Sequence, residues 1–333
     1  MRTIEWIDDS HQVRMIDQRI LPRRFEYLHC GTMDEMIDAI RSMAIRGAPA
    51  LAVAGAYGMA LELLQPAANV RDQARNAAVR LIAARPTAVN LSWGVNRLLK
   101  IVNDLNVRER DLPRMILAEA HRMADEDVRV NRKLAENGAA LIEDGDTIIH
   151  HCNTGSLAVV EWGTALGAIR FAHEQGKKIH VLVDETRPRL QGSRLTAWEC
   201  EQYGIPYEII TDNMAGYFIR SGKVQKVFFG ADRVAANGDV VNKVGSYMLS
   251  LAAHANHVPV YSVFPVSTLD LTIANGDLIP IEERDADEVL GIEFHGEPVA
   301  PLGAKVRNPA FDVTPHELIT ALVTEKGVIK PPF

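Results

Sequence analysis

The chain has 333 residues, 47% of them hydrophobic and 24% charged, with a formal net charge of −7. This is an ordinary globular composition, and the length exceeds what one hydrophobic core usually serves, so two domains are expected. The acidic balance gives no reason to invoke a nucleic-acid or membrane partner, although local arginines can still bind an anionic substrate.

The chain opens Met1-Arg2-Thr3-Ile4-Glu5-Trp6, which holds no apolar signal core. Alternating residues then predict short strands over 3–7, 12–17 and 26–30. Thr32 caps a helix whose face carries Met33, Met36, Ile37, Ile40 and Met43. Arg46-Gly47-Ala48-Pro49 breaks it, and Pro49 opens a helix over 50–64, rich in small residues and too short to span a bilayer. Further helices are expected over 71–84, 93–102 and 112–141. From Asp146 the rhythm changes. Apolar strands over 147–151, 178–183, 207–210, 226–229 and 259–263 alternate with helical patterns over 158–175, 190–203, 213–221 and 245–255. That alternation predicts an α/β architecture with a parallel, doubly wound sheet. The domain boundary is expected inside the long helix: 1–125 as a mostly helical domain with a small β-sheet, 126–333 as the parallel-sheet domain.

Two strand ends carry the chemistry. Ile148-Ile149-His150-His151 runs into Cys152-Asn153-Thr154-Gly155-Ser156, and Val227-Phe228-Phe229 runs into Gly230-Ala231-Asp232-Arg233. Ligands of open α/β sheets bind outside the carboxyl ends of the strands. Cys152 is read there as a reactive thiol, against the commoner fate of a buried cysteine packed as a small hydrophobe. Residues 153–156 are expected to present amides and hydroxyls at a helix start. Asp232, among apolar neighbours, is expected to have a raised pKa that suits a general acid, against a structural aspartate paired with Arg233. His150 and His151 point to opposite faces and read as core or supporting residues.

Arg46-Gly47-Ala48 joins a guanidinium to the amides of a helix start, which suits phosphate; Arg85-Pro86-Thr87 repeats the pattern more weakly. Gln191, Asn242 and Lys243 lie near the same strand ends. No GxGxxG or P-loop points to a nucleotide cofactor, and no CxxC or HxxxH pair points to a metal, so neither is expected. Cys30, Cys152 and Cys200 have no paired spacing, which favours a reducing, cytoplasmic setting without disulfides.

Seven blocks in order complete the pattern: Arg46-Gly47-Ala48-Pro49-Ala50, Arg85 to Leu91, His151 to Gly155, Glu185-Thr186-Arg187-Pro188 with Gln191-Gly192, Asp212 to Ala215, Gly230 to Arg233, and Asn242 to Ser246. Together they closely resemble the 5-methylthioribose-1-phosphate isomerase family of methionine salvage. Its superfamily also holds regulatory subunits of initiation factor 2B and ribose-1,5-bisphosphate isomerase. The resemblance implies a Rossmann-like C-terminal domain, a homodimer, a phosphorylated-sugar substrate, Cys152 and Asp232 as the catalytic pair, and substrate contacts from Arg46, Gly47, Ala48, Arg85, Gln191, Asn242 and Lys243. Isomerisation of a related C1-phosphorylated pentose such as 5-deoxyribose 1-phosphate, and a non-catalytic regulatory role, stand as alternatives.

Overall fold

The computed structural model describes residues 1–333. They form two compact units: Met1–Arg132 with Gly155–Gly163, and Lys133–Thr154 with Thr164–Phe333. The expected boundary at 125/126 and this division both fall inside one helix. Side chains of its first half, such as Ile116, Ala120 and Met123, pack in the first core, whereas Leu134 and Ala139 pack in the second.

In the first unit, β1 (Ile4–Ile7), β2 (Gln12–Ile16) and β3 (Tyr27–Cys30) form an antiparallel sheet in chain order. Ile4 faces Met15, Trp6 faces Val13 and Val13 faces Cys30, so the period-2 pattern places one buried face toward the helices. α1 (Met33–Arg41) begins with a capping box: Thr32 Oγ1 accepts from the Glu35 amide, and Glu35 Oε2 accepts from the Thr32 amide. α2 (Ala48–Leu63) is buried around almost its whole circumference and packs on α3 (Val70–Ala84) and α4 (Val89–Asn103). Its small side chains are what permit that many close neighbours. α5 is Leu112–Ala139.

The second unit carries a seven-stranded sheet. Its first four strands are β4 (Thr147–His150), β5 (His180–Asp184), β6 (Tyr207–Ile210) and β7 (Lys226–Phe229), with helices α6 (Ala165–Glu174), α7 (Ala197–Tyr203) and α8 (Met214–Arg220) between them. After β7 come β8 (Arg233–Ala235), β9 (Val240–Lys243), α9 (Ser246–Ala255), β10 (Val260–Val263), β11 (Leu269–Asp270) and the hairpin β12 (Glu293–Phe294) and β13 (Glu297–Pro298). β14 (Phe311–Thr314), β15 (Ala321–Thr324) and β16 (Gly327–Ile329) follow. The large sheet runs β16-β15-β10-β7-β4-β5-β6, parallel except for the edge strand β16. Ile148, Val181, Phe228 and Val263 line one face and Ile149, Leu182, Val227 and Phe229 the other, each covered by its own apolar cluster. This is the doubly wound arrangement, with both faces buried. The chain adds β5 and β6 on one side of β4 and returns to place β7 on the other, so the strand order reverses between β4 and β7.

Three features depart from the expected elements. The pattern over 158–175 yields a helix only from Ala165, because residues 155–163 pack into the first unit. There Thr3 Oγ1 donates to Ser156 O (2.6 Å), Gln18 Nε2 donates to Leu157 O (2.7 Å), and the Val160 amide donates to Asp127 Oδ2 (2.7 Å). The pattern over 190–203 opens as a π-helical turn, Gly192–Thr196, before α7. A second sheet, β11-β8-β9-β14, has strands of two to four residues, too short for periodicity to announce.

Gly47 decides how closely the 155–163 segment can approach. Its φ is +93°, and a Cβ there would lie 2.1 Å from the Ala158 carbonyl oxygen. Gly47→Ala combines backbone strain with an overlap that backbone atoms cannot relieve, so it is expected to destabilise the protein by about 2 kcal/mol or more. Gly145 shares a positive φ (+89°) but faces open space, so Gly145→Ala should cost distinctly less. Chemical denaturation of the two variants beside wild type checks the order.

Candidate active site

The candidate residues divide between the units. Arg46, Gly47, Ala48 and Arg85 belong to the first; Cys152, Gln191, Asp232, Asn242 and Lys243 belong to the second. Gly47 is the N-cap of α2, Ala48 its first residue, and Arg85 follows α3, so each guanidinium lies at a helix boundary. Arg46, Gly47, Ala48 and Arg85 are all partly exposed.

Cys152 and Asp232 stand beyond the carboxyl ends of β4 and β7, which are neighbours in the sheet with His150 opposite Phe228. They therefore flank the point where the strand order reverses, which is where open α/β sheets open a crevice. Cys152 is buried and has a left-handed backbone, φ +68°. Its amide donates to Thr186 Oγ1 (2.9 Å) and its carbonyl accepts from Thr196 Oγ1 (2.7 Å). Left-handed φ in a residue with a β-carbon is sparsely populated and costs about 1–3 kcal/mol, so surrounding contacts must hold it. By contrast, Cys30 and Cys200 lie in apolar cores; burial pushes the Cys30 thiol up to about 12 and the Cys200 thiol higher still.

Residues 153–156 do not form the expected helix start. Asn153 Nδ2 donates to Glu199 Oε2 (2.7 Å), and Thr154 Oγ1 accepts from the Leu166 amide (3.1 Å) at the beginning of α6. Ser156 opens only a single 3₁₀ turn, Ser156–Ala158.

The two histidines are buried on opposite sides, as alternation requires. His150 Nδ1 donates to Phe228 O (3.0 Å), and burial, reinforced by the His151 charge, holds its pKa down at about 3. His151 Nδ1 donates to Asp184 Oδ2 (2.9 Å) and Nε2 donates to Val244 O (3.0 Å). The Asp184 carboxyl is itself raised to about 6 by burial, so one proton is shared between that carboxyl and the ring of His151. Burial alone would lower its pKa, but the Asp184 hydrogen bond and the charges of Asp184 and Asp212 raise it above the usual value. His151, Asp184 and Asp212 bring potential ligand atoms within 4.8 Å of one another. Those atoms are already engaged: Asp212 accepts from the amides of Thr186 (2.7 Å) and Arg187 (2.8 Å), and both ring nitrogens of His151 are held by Asp184 and the Val244 carbonyl.

Asn242 and Lys243 close β9, and both are buried. Asn242 Nδ2 donates to Ser246 Oγ (2.8 Å); Lys243 Nζ donates to Ala310 O (2.6 Å) and lies 4.5 Å from the Phe311 ring centre. Asp312, opposite Asn242 in the register, accepts from the amides of Gly245 and Tyr247 and so holds the start of α9. Gln191 is buried, and its Oε1 accepts no hydrogen bond within the protein. Gly192 beside it is obligatory, because a Cβ there would lie 1.6 Å from Asp184 O.

Asp232 departs from expectation. Phe228 and Phe229 point into the core, whereas the Asp232 side chain is exposed, so its own strand does not bury the carboxyl. Nor is Arg233 committed to it: Arg233 pairs with Asp270 at 3.2 Å. Sequence reading also did not single out Thr186, Asp212 or the His151–Asp184 pair. Thr186 and Asp212 stood in quoted blocks, but their partners lie 34 and 26 positions away.

Residues 44–331 match the Initiation factor 2 subunit family. The chain belongs to that family. A Methylthioribose-1-phosphate isomerase of Thermotoga neapolitana is 50% identical over 333 residues, covering 100% of this chain and 96% of that protein. The crystal structure of a 5-methylthioribose 1-phosphate isomerase from Pyrococcus horikoshii is 40% identical, with a TM-score of 0.92 over 100% of this chain and 93% of that one. A structure described as translation initiation factor eIF-2B, subunit delta, from A. fulgidus is 44% identical, with a TM-score of 0.88 over 100% of this chain and 96% of that one. No helix is long and apolar enough to cross a membrane.

The raised pKa of His151 has a definite sign in stability. A histidine held above 6.5 in the fold adds stability that is fully present below its unfolded value and is lost as pH rises through the folded value. Burial lowers the His151 value, and the Asp184 hydrogen bond and charge, the Asp212 charge and the Val244 carbonyl together raise it; His150 and Asp312 are the other titratable groups that feel the ring. Wild-type melting temperature is expected to fall as pH rises from the unfolded value of 6.5 toward the folded one, and to level off beyond it. His151→Gln should melt lower throughout and lack this slope; thermal melts across pH check it.

Proposed function

We propose that this chain is an aldose–ketose isomerase that converts 5-methylthioribose 1-phosphate to 5-methylthioribulose 1-phosphate, the methionine-salvage reaction. The carrying observation is full-length similarity to proteins of that name, joined to a thiol and a carboxylate on adjacent strand ends at the sheet's reversal point. Cys152 and Asp232 are the catalytic pair of this reading. Arg46, Gly47, Ala48, Arg85, Gln191, Asn242 and Lys243 are its substrate contacts, with the parallel-sheet domain holding the pair. The buried, unsatisfied Oε1 of Gln191 supports its share, since a sugar hydroxyl is the donor such an acceptor lacks.

The substrate sets the chemistry. Its anomeric oxygen carries phosphate, so opening the ring cannot give a free aldehyde. Asp232 donates a proton to the ring oxygen as the bond from that oxygen to C1 breaks, and later accepts the proton of the C2 hydroxyl as C2 becomes the ketone. Hydrogen must move from C2 to C1. In one route Cys152 as thiolate takes it as a proton, leaving an enediol-like intermediate, and returns it to C1. In the other it passes as hydride to a cationic C1, and Cys152 stabilises the charge. Contacts to phosphate hold C1 and C2 in register with the pair.

The A. fulgidus structure's description motivates the second reading, a non-catalytic regulatory subunit. Ketose formation from 5-methylthioribose 1-phosphate, with 5-deoxyribose 1-phosphate beside it, tests both. Turnover is expected, with kcat/KM favouring the methylthio sugar. A methylthio and a methyl group differ mainly in apolar volume, which separates substrates by only about 1–3 kcal/mol. Asp232→Asn should lower kcat by at least about 100-fold while largely retaining binding. Solvent deuterium at C1 of the product supports the proton route. Inactivity on every C1-phosphorylated pentose would sink the isomerase reading in favour of the regulatory one.

A homodimer and a cytoplasmic setting complete the proposal. The packed helices α8 and α9 expose Met214, Tyr217, Tyr247, Met248 and Leu251, an apolar surface suited to a second copy. Light scattering after size exclusion is expected to give twice the chain mass, and Tyr217→Asp combined with Met248→Asp to give one.

A further inference from the structure

We infer that Thr186 is the positioning residue for Cys152. This rests on the reading of Cys152 as the reacting thiol. The two residues follow the ends of the adjacent parallel strands β4 and β5, and both have left-handed backbones, φ +68° at Cys152 and φ +61° at Thr186. A β-branched residue in that region is a conformational outlier, so the local fold must impose it. Asp212 does so, with one carboxylate oxygen on the Thr186 amide (2.7 Å) and the other on the Arg187 amide (2.8 Å).

The held threonine then acts through its hydroxyl. Oγ1 donates its proton to Asp184 O (3.0 Å), which turns a lone pair toward the Cys152 amide at 2.9 Å. Thr186 is fully buried, so no water replaces that acceptor. The β-branch narrows χ1 and so keeps the hydroxyl aimed. Thr196 Oγ1 grips the Cys152 carbonyl from the other side (2.7 Å). Cys152 thus has both backbone polar groups bound by side-chain hydroxyls, at a backbone angle it would not otherwise favour, and that fixes where its Sγ lies.

Thr186→Val keeps the shape and removes the acceptor, leaving the Cys152 amide buried and unsatisfied. It is expected to lower kcat on 5-methylthioribose 1-phosphate by about 10- to 100-fold with KM changed by less than about threefold. Thr186→Ser keeps the hydroxyl and should restore kcat to within about threefold of wild type. Site-resolved iodoacetamide labelling should change at Cys152 in the valine variant and not in the serine one, with the core residues Cys30 and Cys200 as internal reference. Equal kcat and equal Cys152 labelling in the two variants would overturn the inference. Thr186→Ala, which also lacks the acceptor, replaces the valine variant if that one does not fold; failure of both to fold would assign Thr186 to the fold alone and likewise overturn it. Cys152→Ala separates the two levels: if it keeps activity, the reading of Cys152 fails, whereas an inactive Cys152→Ala beside a fully active Thr186→Val sinks only the role of Thr186.

Discussion

The buried His151 side chain joins three pieces of backbone that must stay in register. It sits at the end of β4, its Nδ1 binds the last residue of β5, and its Nε2 binds the loop that leads from β9 into α9. Nε2 carries a proton toward the Val244 carbonyl, and a second proton is shared between Nδ1 and Asp184. Such a pair is weak evidence for net stability, since desolvation offsets much of its attraction. Removing one partner is a different matter, because it strands a buried charge. The consequence is a scaffold in which the ends of β4 and β5 and the Asn242–Lys243 segment cannot drift independently.

Around that tie the polar groups are used economically. Asp212 binds two successive amides, Thr186 passes its hydroxyl between Asp184 and Cys152, and Asp312 holds the start of α9. Each of these side chains orders backbone. Two of the chain's left-handed non-glycine residues, Cys152 and Thr186, fall in this network, and stored backbone strain is common at sites that do chemistry. Gly192 serves the same end by steric means, letting the Gln191 turn lie directly on the end of β5. Asp232 lies on the connection between β7 and β8, and its side chain is exposed.

Much was legible from residues alone, and for identifiable reasons. The Thr32 cap, the apolar face of α1, the small-residue helix α2 and the alternating strands β1 to β3 are all local patterns, and each formed nearly where expected. The apolar runs that end at Cys152 and Asp232 marked two strands of a parallel sheet correctly. What failed was also local inference, applied where distant contacts win. The helical pattern from 158 was overruled by the first unit's hold on Ser156, Leu157 and Val160. The apolar run before Asp232 suggested an enclosed carboxyl, but its side chains turn inward and leave the aspartate outside. The burial of Lys243 was not readable locally either: its carbonyl partner Ala310 and the Phe311 ring lie 67 and 68 residues further on.

By itself the sequence determined most of the helices and strands, two strand ends that carry a thiol and a carboxylate, and, through seven ordered blocks, the family. These follow from residue type and short-range period, which need no knowledge of where the chain goes next. Only the tertiary structure decided that β7 returns beside β4, and so that the thiol and the carboxylate flank one crevice. It alone decided the left-handed backbone of Cys152 and the raised proton affinity of the His151–Asp184 pair, whose carbonyl partner lies 93 positions from His151. Backbone angle and proton affinity at these sites are set by burial and by hydrogen bonds between strands, and neither exists until the sheet has closed around them.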